Sequence, residues 1–438
     1  MHLFPPDALH SGFAAVFISI AAYLWLIRHR MVGIYDPMNV AALYVSSANF
    51  FIGIAVWMNS KVGEQLSVLL VVYLLSVLFT LDRRQKFSGS AFGEKLLHFR
   101  ASPAARFFAL VCIFFVALNF IVNIAPSGFH VGVDPSSDKF KVSSHSHFLF
   151  YIAAPLQNIM FLLYYVFRGT TVGKLCLLMF IFFPVIGLMG GSKGVLITFV
   201  AQIVWLTYLE RIDSEGHTSK KKVLSRLIIA IALLPVLAVA ITLVLGPSTE
   251  RGNALAIFAE RLFGTYDQLF YVTIFRIPTS HTGASFFQMY FASVLKALGI
   301  YKWKYNGVGD YVIRMMFPGS GNGRMFPNNN LSLEALMAFG YPKAIFVIMI
   351  IGVLTGATIN YFFRRRYDSP FCLMYFGFFF VAPFDTMLGG SSTFTALYVL
   401  LIPYGVWRTA CWIAGLRWYP PQPVAIPELA HLASVDAV

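Results

Sequence analysis

One glutamate in the C-terminal half of this sequence stands in a setting that suits acid–base chemistry. Residues 322–330 are rich in Gly, Pro and Asn and predict a turn, and the following residues predict a short helix closed by Gly340. Glu334 is the only carboxylate of that helix, just before a long apolar run. Partial burial would bring its pKa nearer neutrality, which makes Glu334 a candidate general base. An acidic residue favoured by the helix dipole is an equally good explanation.

Basic residues are the second feature that could do chemistry. Between residues 247 and 343, Lys and Arg outnumber Asp and Glu. An arginine fork pairs bidentately with phosphate oxygens and keeps its charge, so the excess predicts an anion site. Side chains that extend to the membrane surface, or that form surface ion pairs, are the alternative interpretation. The candidate anion ligands are Arg251, Arg261, Arg276 and Arg324.

A glycine-rich turn supplies one more candidate cation. Residues 190–194 read GGSKG and open an apolar segment, so backbone amides at that helix start could face an anion with Lys193 beside them. The spacing is not that of a P-loop. A tight helical hairpin explains the same residues equally well.

Other ionisable residues are less informative. Asp385 lies inside an apolar segment, where a charge indicates either a functional site or an ion pair with a neighbouring arginine. His145 and His147 have no Cys and no third ligand nearby in the sequence, so no metal site is predicted.

The composition decides what kind of structure must position these residues. Of 438 residues 58% are hydrophobic and 12% are charged, against roughly 25% charged in soluble domains. About eleven apolar segments reach the roughly 20 residues that a membrane-spanning helix needs. The sequence therefore predicts an all-α polytopic membrane protein. The predicted spans centre on Ala15, Phe50, Tyr73, Val116, Leu156, Phe182, Gln202, Val236, Ile351, Phe379 and Leu400.

The basic residues fall on alternate connections, which orients the chain. Positive loops stay on the cytoplasmic side, so the clusters at 28–30, 83–106, 168–174, 211–226 and 364–366 predict cytoplasmic connections. The net charge of +14 is explained in this way, and nucleic-acid binding is not predicted.

This orientation divides the chain into four regions. Residues 1–246 hold spans one to eight, 247–343 form a large extracytoplasmic loop, 344–418 hold three further spans, and 419–438 form a disordered cytoplasmic tail. The loop has roughly a hundred residues, well beyond ordinary connections, which indicates function. Apolar spacing at 254–277 and 285–298 predicts amphipathic helices within it.

The arrangement resembles the oligosaccharide repeat-unit polymerases, the Wzy-type O-antigen polymerase family. Residues 191–194, GSKG, resemble the family's Gly-Ser-Arg-Gly element with Lys in place of Arg. Residues 329–341 are similar to its segment with an acidic residue and Phe-Gly before a late helix. The family's Arg followed by Gly eleven residues later is not kept by any arginine of the large loop, so the individual phosphate ligand stays open.

The resemblance implies a GT-C-like fold and a glycosyltransferase of lipopolysaccharide biosynthesis. The implied reaction joins undecaprenyl-pyrophosphate-linked glycans at the periplasmic face of the bacterial inner membrane, without cofactor or metal. Glu334 would be the base, and the arginines with Lys193 would hold pyrophosphate. Sugar contacts would come from Tyr266, Asp267, Asn328 and Asn329, with Tyr271 and Tyr290 as further stacking candidates.

Three other functions remain open at this stage, together with one implied partner. An O-antigen ligase would share the donor, a polysaccharide flippase or other transporter would share the membrane architecture, and a lipid-linked acyltransferase is a third alternative. The resemblance also implies a chain-length-regulating membrane protein as a partner. The sequence does not identify the repeat unit or the linkage formed.

Overall fold

The chain folds into helices, as its composition predicted. A computed structural model describes residues 6–29, 36–82, 89–127, 147–189, 194–213, 271–272, 275–279, 285–305, 307–316, 330–381 and 397–418. Within these ranges there is no strand. The all-α class is therefore confirmed for the described part of the chain.

The helices are numbered here in chain order. Those of the first half are α1 (Pro6–Ile27), α2 (Pro37–Trp57), α3 (Lys61–Thr80), α4 (Ser90–Ala101), α5 (Pro103–Asn119), α6 (His147–Asn158), α7 (Met160–Val166), α8 (Thr171–Met189) and α9 (Gly194–Asp213). Those of the second half are α10 (Phe286–Tyr290), α11 (Ala292–Ala297), α12 (Val308–Met316), α13 (Leu331–Phe339), α14 (Lys343–Arg364), α15 (Pro370–Val381) and α16 (Leu401–Ile413).

Several of these helices are suited to a membrane. Four are long and apolar enough to cross one, namely Asp7–Ile27, Lys61–Thr80, Pro103–Ile124 and Lys343–Arg364, and the bent pair Leu149–Asn158 with Met160–Val166 would make a fifth. These features are consistent with a membrane protein. The count of eleven spans remains a prediction, and the predicted span centred on Val236 lies outside the described residues.

α3 and α14 pack closely against each other, and small residues make this possible. A Cβ atom placed on Gly352 would lie 2.7 Å from the Cβ of Ser76, and one on Gly356 would lie 2.1 Å from Oγ1 of Thr80. Both positions therefore need glycine for close approach, as in the small-residue motifs of membrane helices. Because Gly352 faces Ser76 and Gly356 faces Thr80, the two helices run parallel.

A bend separates α6 from α7. Pro155 lies within α6, and the two helices meet at 48° across the break after Asn158. The amide Nε2 of Gln202 donates to the carbonyl oxygen of Asn158 at 3.0 Å. The break leaves the Asn158 carbonyl without its usual helical hydrogen bond, and the buried Gln202 side chain of α9 supplies a donor in its place.

Connections that the sequence predicted to be cytoplasmic meet at one end of the helices. Gly89 N donates to the carbonyl of Ile212 at 3.0 Å, Arg100 Nε donates to the carbonyl of Val166 at 2.6 Å, and Arg364 pairs with Asp82. Connections distant in sequence are therefore neighbours in space. This grouping agrees with the predicted alternation of loops.

A buried ion pair lies at the centre of this end. Arg366 Nη2 contacts Asp213 Oδ1 at 2.6 Å, and the hydroxyls of Tyr165 and Tyr367 donate to Asp213 Oδ2 at 3.0 and 2.5 Å. The Arg366 guanidinium also lies 4.0 Å from the centroid of the Phe92 ring. The term Asp213 cluster is used below for Asp213, Arg366, Tyr165 and Tyr367. It connects α7, α9 and the turn after α14.

The predicted division into four regions is not tested by these helices. The described part of the large loop contains α10 to α13, and α14 follows where the loop was predicted to end. The predicted helix at 285–298 is present as α10 and α11, separated at Phe291. Most of the helix predicted at 254–277 and the whole tail at 419–438 lie outside the described residues.

Candidate active site around Glu334

The helix that carries Glu334 is defined at both ends by its own sequence. The side-chain oxygen of Asn330 accepts hydrogen bonds from the amides of Ser332 at 2.9 Å and Leu333 at 3.3 Å, which caps the N-terminus of α13. Gly340 ends the helix at φ 68°, a conformation that favours glycine. The short helix predicted from the sequence, with Gly340 after its last residue, is therefore confirmed.

Glu334 is completely buried by α13 and its neighbours. Its exposed fraction is 0%, as are those of Leu331, Leu333 and Ala335 on the same helix. α13 packs against α3, α10 and α14. The aliphatic surroundings remove water from the carboxylate, which goes beyond the partial burial predicted from the sequence.

The carboxylate of Glu334 has no hydrogen-bond partner in the described part of the chain. Both Oε1 and Oε2 are buried without a donor. An ionised carboxylate in such surroundings would pay the full cost of desolvation, so the neutral form is favoured. Burial accordingly raises the pKa of Glu334 from 4.5 to about 8.

Tyr290 is the polar side chain that the fold brings toward Glu334. It lies at the end of α10, buried, and its ring stacks on Phe286 at 4.9 Å between centroids. The Phe286 ring in turn contacts Phe339 of α13 at 5.3 Å. Burial raises the pKa of the Tyr290 hydroxyl, and Tyr73 and Glu334 add smaller electrostatic contributions in the same direction. Tyr73 of α3, Tyr290 of α10 and Glu334 of α13 thus form one group, called the Glu334 group below.

The position of Tyr290 follows from a local signal. Ser285 Oγ accepts from the amide of Gln288 at 3.3 Å, and the Gln288 side chain accepts from the amide of Ser285 at 3.2 Å. This capping box starts α10 and fixes its direction. Tyr290 was proposed from the sequence as a sugar-stacking residue, but its proximity to Glu334 needs tertiary structure.

The raised pKa makes the Glu334 carboxyl suited to proton transfer. With a pKa of about 8, roughly one Glu334 carboxyl in ten is ionised at pH 7. The ionised fraction rises steeply toward pH 8. Such a group can accept a proton from a hydroxyl and return it under mild conditions, because its pKa is close to the working pH.

Few of the other predicted site residues can be placed. Arg276 lies in a turn after residue 272 with φ 50°, and its side chain is exposed, without an ion pair to a described residue. Its position gives no contact with Glu334. The remaining candidates lie outside the described residues: Lys193, Arg251, Arg261, Arg324, Tyr266, Asp267, Asn328 and Asn329, and so does Asp385.

A second buried carboxylate in the same loop is paired. Arg314 Nε contacts Asp310 Oδ1 at 2.7 Å within α12. Asp310 also acts electrostatically on Lys296, although burial has the larger effect and lowers the pKa of that lysine. The spacing of four between Asp310 and Arg314 on a helix predicts such a pair.

No metal centre is evident in the part of the chain that the structure describes. Those residues include no group of three or more His, Cys, Asp or Glu side chains close enough to hold an ion. His145 lies outside them.

Comparisons with known proteins add no relative. No protein-family model, no characterised protein sequence and no solved structure matches the chain. The chemistry of the Glu334 group and the resemblance noted in the sequence are therefore the features that bear on function.

Proposed function

We propose that the chain is a membrane glycosyltransferase that polymerises undecaprenyl-pyrophosphate-linked oligosaccharide repeat units into an O-antigen-type polysaccharide. The active site is proposed to face the periplasm, at the first turn of α14. The observation that carries the proposal is the buried carboxylate of Glu334, without a hydrogen-bond partner among the described residues.

The reaction needs one proton acceptor. A sugar hydroxyl of the incoming repeat unit attacks the anomeric carbon of the growing chain, while the bond from that carbon to the lipid pyrophosphate breaks. The hydroxyl proton passes to the Glu334 carboxylate, and the lipid pyrophosphate leaves as an anion. Positive charge from the loop, with Arg251, Arg261, Arg276, Arg324 and Lys193 as candidates, would stabilise that leaving group.

The raised pKa of Glu334 predicts how the polymerisation rate depends on pH. Only the ionised carboxylate accepts a proton, and at a pKa of about 8 it is the minor form at pH 7. The rate of polymerisation is therefore expected to rise about tenfold from pH 6 to pH 7, to reach about half its maximum at pH 8 and to level off above about pH 9.

The test is the substitution Glu334→Gln, which keeps the size of the side chain and removes the base. We expect the polymerisation rate to fall by roughly 10²- to 10⁴-fold, because that is the usual contribution of acid–base catalysis. The measurement is product length from purified protein and lipid-linked repeat units, and the lipopolysaccharide ladder in cells. Glu64→Gln is a matched control, because Glu64 is exposed at the start of α3. An undiminished ladder with Glu334→Gln would remove Glu334 as the base.

A proton-coupled transporter is the second candidate, and the same observation favours it. A buried, unpartnered carboxylate that exchanges its proton near neutral pH is a common element of proton relays in membranes. The purified protein distinguishes the two functions. Formation of a new glycosidic bond in detergent solution supports the polymerase, whereas proton uptake coupled to glycan movement, without bond formation, supports the transporter.

An O-antigen ligase is separated from a polymerase by the cell phenotype. Loss of a polymerase leaves single repeat units on lipid A-core, whereas loss of a ligase leaves none. The Glu334→Gln strain should therefore show the single-repeat band.

A further inference from the structure

A basic and aromatic cavity lies at the other end of the molecule, at the C-terminus of α16. Its volume is about 500 Å³, within the size range of small-molecule sites. The side chains that line it include Arg408, Cys411, Trp412, Leu416, Arg417 and Trp418. The function proposed above does not use this cavity.

The end of α16 builds the cavity by turning the chain back on itself. Leu416 N donates to the carbonyl of Cys411 at 2.9 Å, and Gly415 N donates to the carbonyl of Trp412 at 3.3 Å. These two bonds form a Schellman motif, and Gly415 supplies the left-handed residue at φ 65° that the motif needs. As a result Arg417 lines the same cavity as Arg408, a residue nine positions earlier.

The residue after Arg417 is held firmly. Trp418 Nε1 donates to the carbonyl of Asp368 at 3.2 Å, and its ring lies 5.1 Å from that of Phe99. The Asp368 carboxylate is occupied by Lys95 at 2.8 Å. The carboxylate of the residue that holds Trp418 is therefore already paired with a lysine.

The two arginines keep their charge for a ligand. Both side chains are exposed, and neither makes an ion pair with a described residue. Two guanidinium groups in one cavity favour a phosphate, which accepts bidentate hydrogen bonds from each. The shared chemistry of the ligand is therefore that of a phosphate ester.

The surroundings point to a lipid as the source of that phosphate. Trp412 and Ile413 at the end of the apolar helix α16 are 83% and 74% exposed. Tryptophan beside arginine at the end of an apolar helix is typical of the membrane interface, where the ring lies at the level of lipid headgroups. A soluble phosphate would gain nothing from these exposed apolar side chains.

We propose that the cavity binds the headgroup of an anionic phospholipid, with the phosphate between Arg408 and Arg417 and the glycerol against Trp412. The negative lipids of a cytoplasmic leaflet would supply such a headgroup. The cavity lies at the end of the helices that carries the Asp213 cluster, because Trp418 contacts Asp368. That end is the one predicted to be cytoplasmic.

The experiment is native mass spectrometry of the full-length protein in detergent, titrated with phosphatidylglycerol or phosphatidylcholine. We expect phosphatidylglycerol to bind preferentially, and the Arg408→Gln/Arg417→Gln variant to bind it at least about tenfold more weakly. Arg28→Gln is the matched control, because the Arg28 guanidinium lies 4.9 Å from the Trp25 ring at the end of α1 but does not line the cavity. This control should bind the lipid like the unmodified protein.

Three results would overturn the proposal: undiminished binding by the double variant, an equal loss with Arg28→Gln, or equal affinity for phosphatidylcholine. Binding of glycerol 3-phosphate as tight as that of phosphatidylglycerol would assign the cavity to a soluble phosphate ester instead. If the double variant does not fold, Trp412→Ala is used in its place. Trp412 is exposed and not part of the core, so this substitution should leave the fold intact. Weakened phosphatidylglycerol binding by Trp412→Ala supports the lipid, and unchanged binding contradicts it.

Discussion

Two buried carboxylates, Glu334 and Asp213, differ completely in what surrounds them. The two carboxylates lie near opposite ends of α14. Glu334 is on α13, which leads into the start of α14, whereas Asp213 contacts Arg366 in the turn that follows α14. Asp213 is bound by one guanidinium and two tyrosine hydroxyls. Glu334 has no hydrogen-bond donor among the described residues. A carboxylate with partners holds helices together, whereas one without partners is available to exchange a proton.

The contrast is not a matter of burial alone. Asp310, in the same loop as Glu334, is nearly as buried but pairs with Arg314 in its own helix. The loop therefore can supply a cation to a buried acid. Among the described residues no cation pairs with Glu334, and α13 itself carries no basic residue that could do so.

The largest expected effect comes from breaking the Asp213 cluster. Arg366→Met leaves the Asp213 carboxylate buried with only two hydroxyl donors, and removal of one partner of a buried pair costs about 3–5 kcal/mol. We expect a sharply lower thermal unfolding temperature in detergent, or loss of folded protein. Asp213→Asn combined with Arg366→Met should recover much of the loss, because no unpaired charge then remains. Equal stability of the single variant and the unmodified protein would mean that the cluster is not structural.

The second largest effect concerns Glu334 and the pH dependence of stability. Burial raises the pKa of Glu334 from 4.5 to about 8, so the folded state binds the proton more tightly than the unfolded chain. Between these pH values folding costs more free energy as pH rises, because the unfolded chain releases the Glu334 proton while the buried carboxyl keeps it. Glu334→Gln removes that cost. Its free energy of unfolding should equal that of the unmodified protein near pH 4.5 and exceed it at pH 9 by on the order of a few kcal/mol.

Thermal unfolding from pH 4.5 to 9 measures this difference directly. Glu64→Gln, at an exposed position, should follow the unmodified protein throughout. Parallel curves for Glu334→Gln and the unmodified protein would show that the Glu334 pKa is not raised.

Local structure was predictable where a local signal exists. The helix that carries Glu334 followed from the Asn-rich turn and from Gly340, and the structure has it at Leu331–Phe339. The length and apolar character of α1, α3, α5 and α14 followed from runs of about 20 apolar residues. These features depend on neighbours in sequence, so a single sequence contains them.

Pairings between distant residues were not predictable. Arg366 and Asp213 are 153 positions apart, and Arg366 was counted only as one member of a basic loop. The sequence showed Glu334 just before a long apolar run and could not show that Tyr290, 44 positions earlier, is close enough to interact with it electrostatically. Nor could it show that a Schellman turn brings Arg417 to Arg408. Such contacts depend on helix packing, which residue types alone do not specify.

The third prediction concerns the support of Glu334 rather than its charge. Asn330→Ala removes the acceptor that caps α13 and leaves the amides of Ser332 and Leu333 unpaired in a buried place. We expect a loss of about 1 to 2 kcal/mol in unfolding free energy. Asn330→Ser restores a capping oxygen and should lose much less. Equal losses for alanine and serine would mean that packing, and not the cap, fixes the helix.

The smallest effect tests whether burial decides the strength of an ion pair in this molecule. Arg168 Nη1 contacts Glu210 Oε1 at 2.9 Å, a geometry close to that of Arg366 with Asp213, but the Arg168 side chain is 52% exposed. Water solvates the exposed Arg168 guanidinium and weakens its attraction to Glu210, and pairs of this kind contribute only about 0–1 kcal/mol. Arg168→Gln should therefore change the unfolding temperature by a small fraction of the Arg366→Met effect, and the change should shrink further in high salt. A loss as large as that of Arg366→Met would mean that distance alone sets the stability of these pairs. The distinction between the Asp213 cluster and ordinary surface charges would then be wrong.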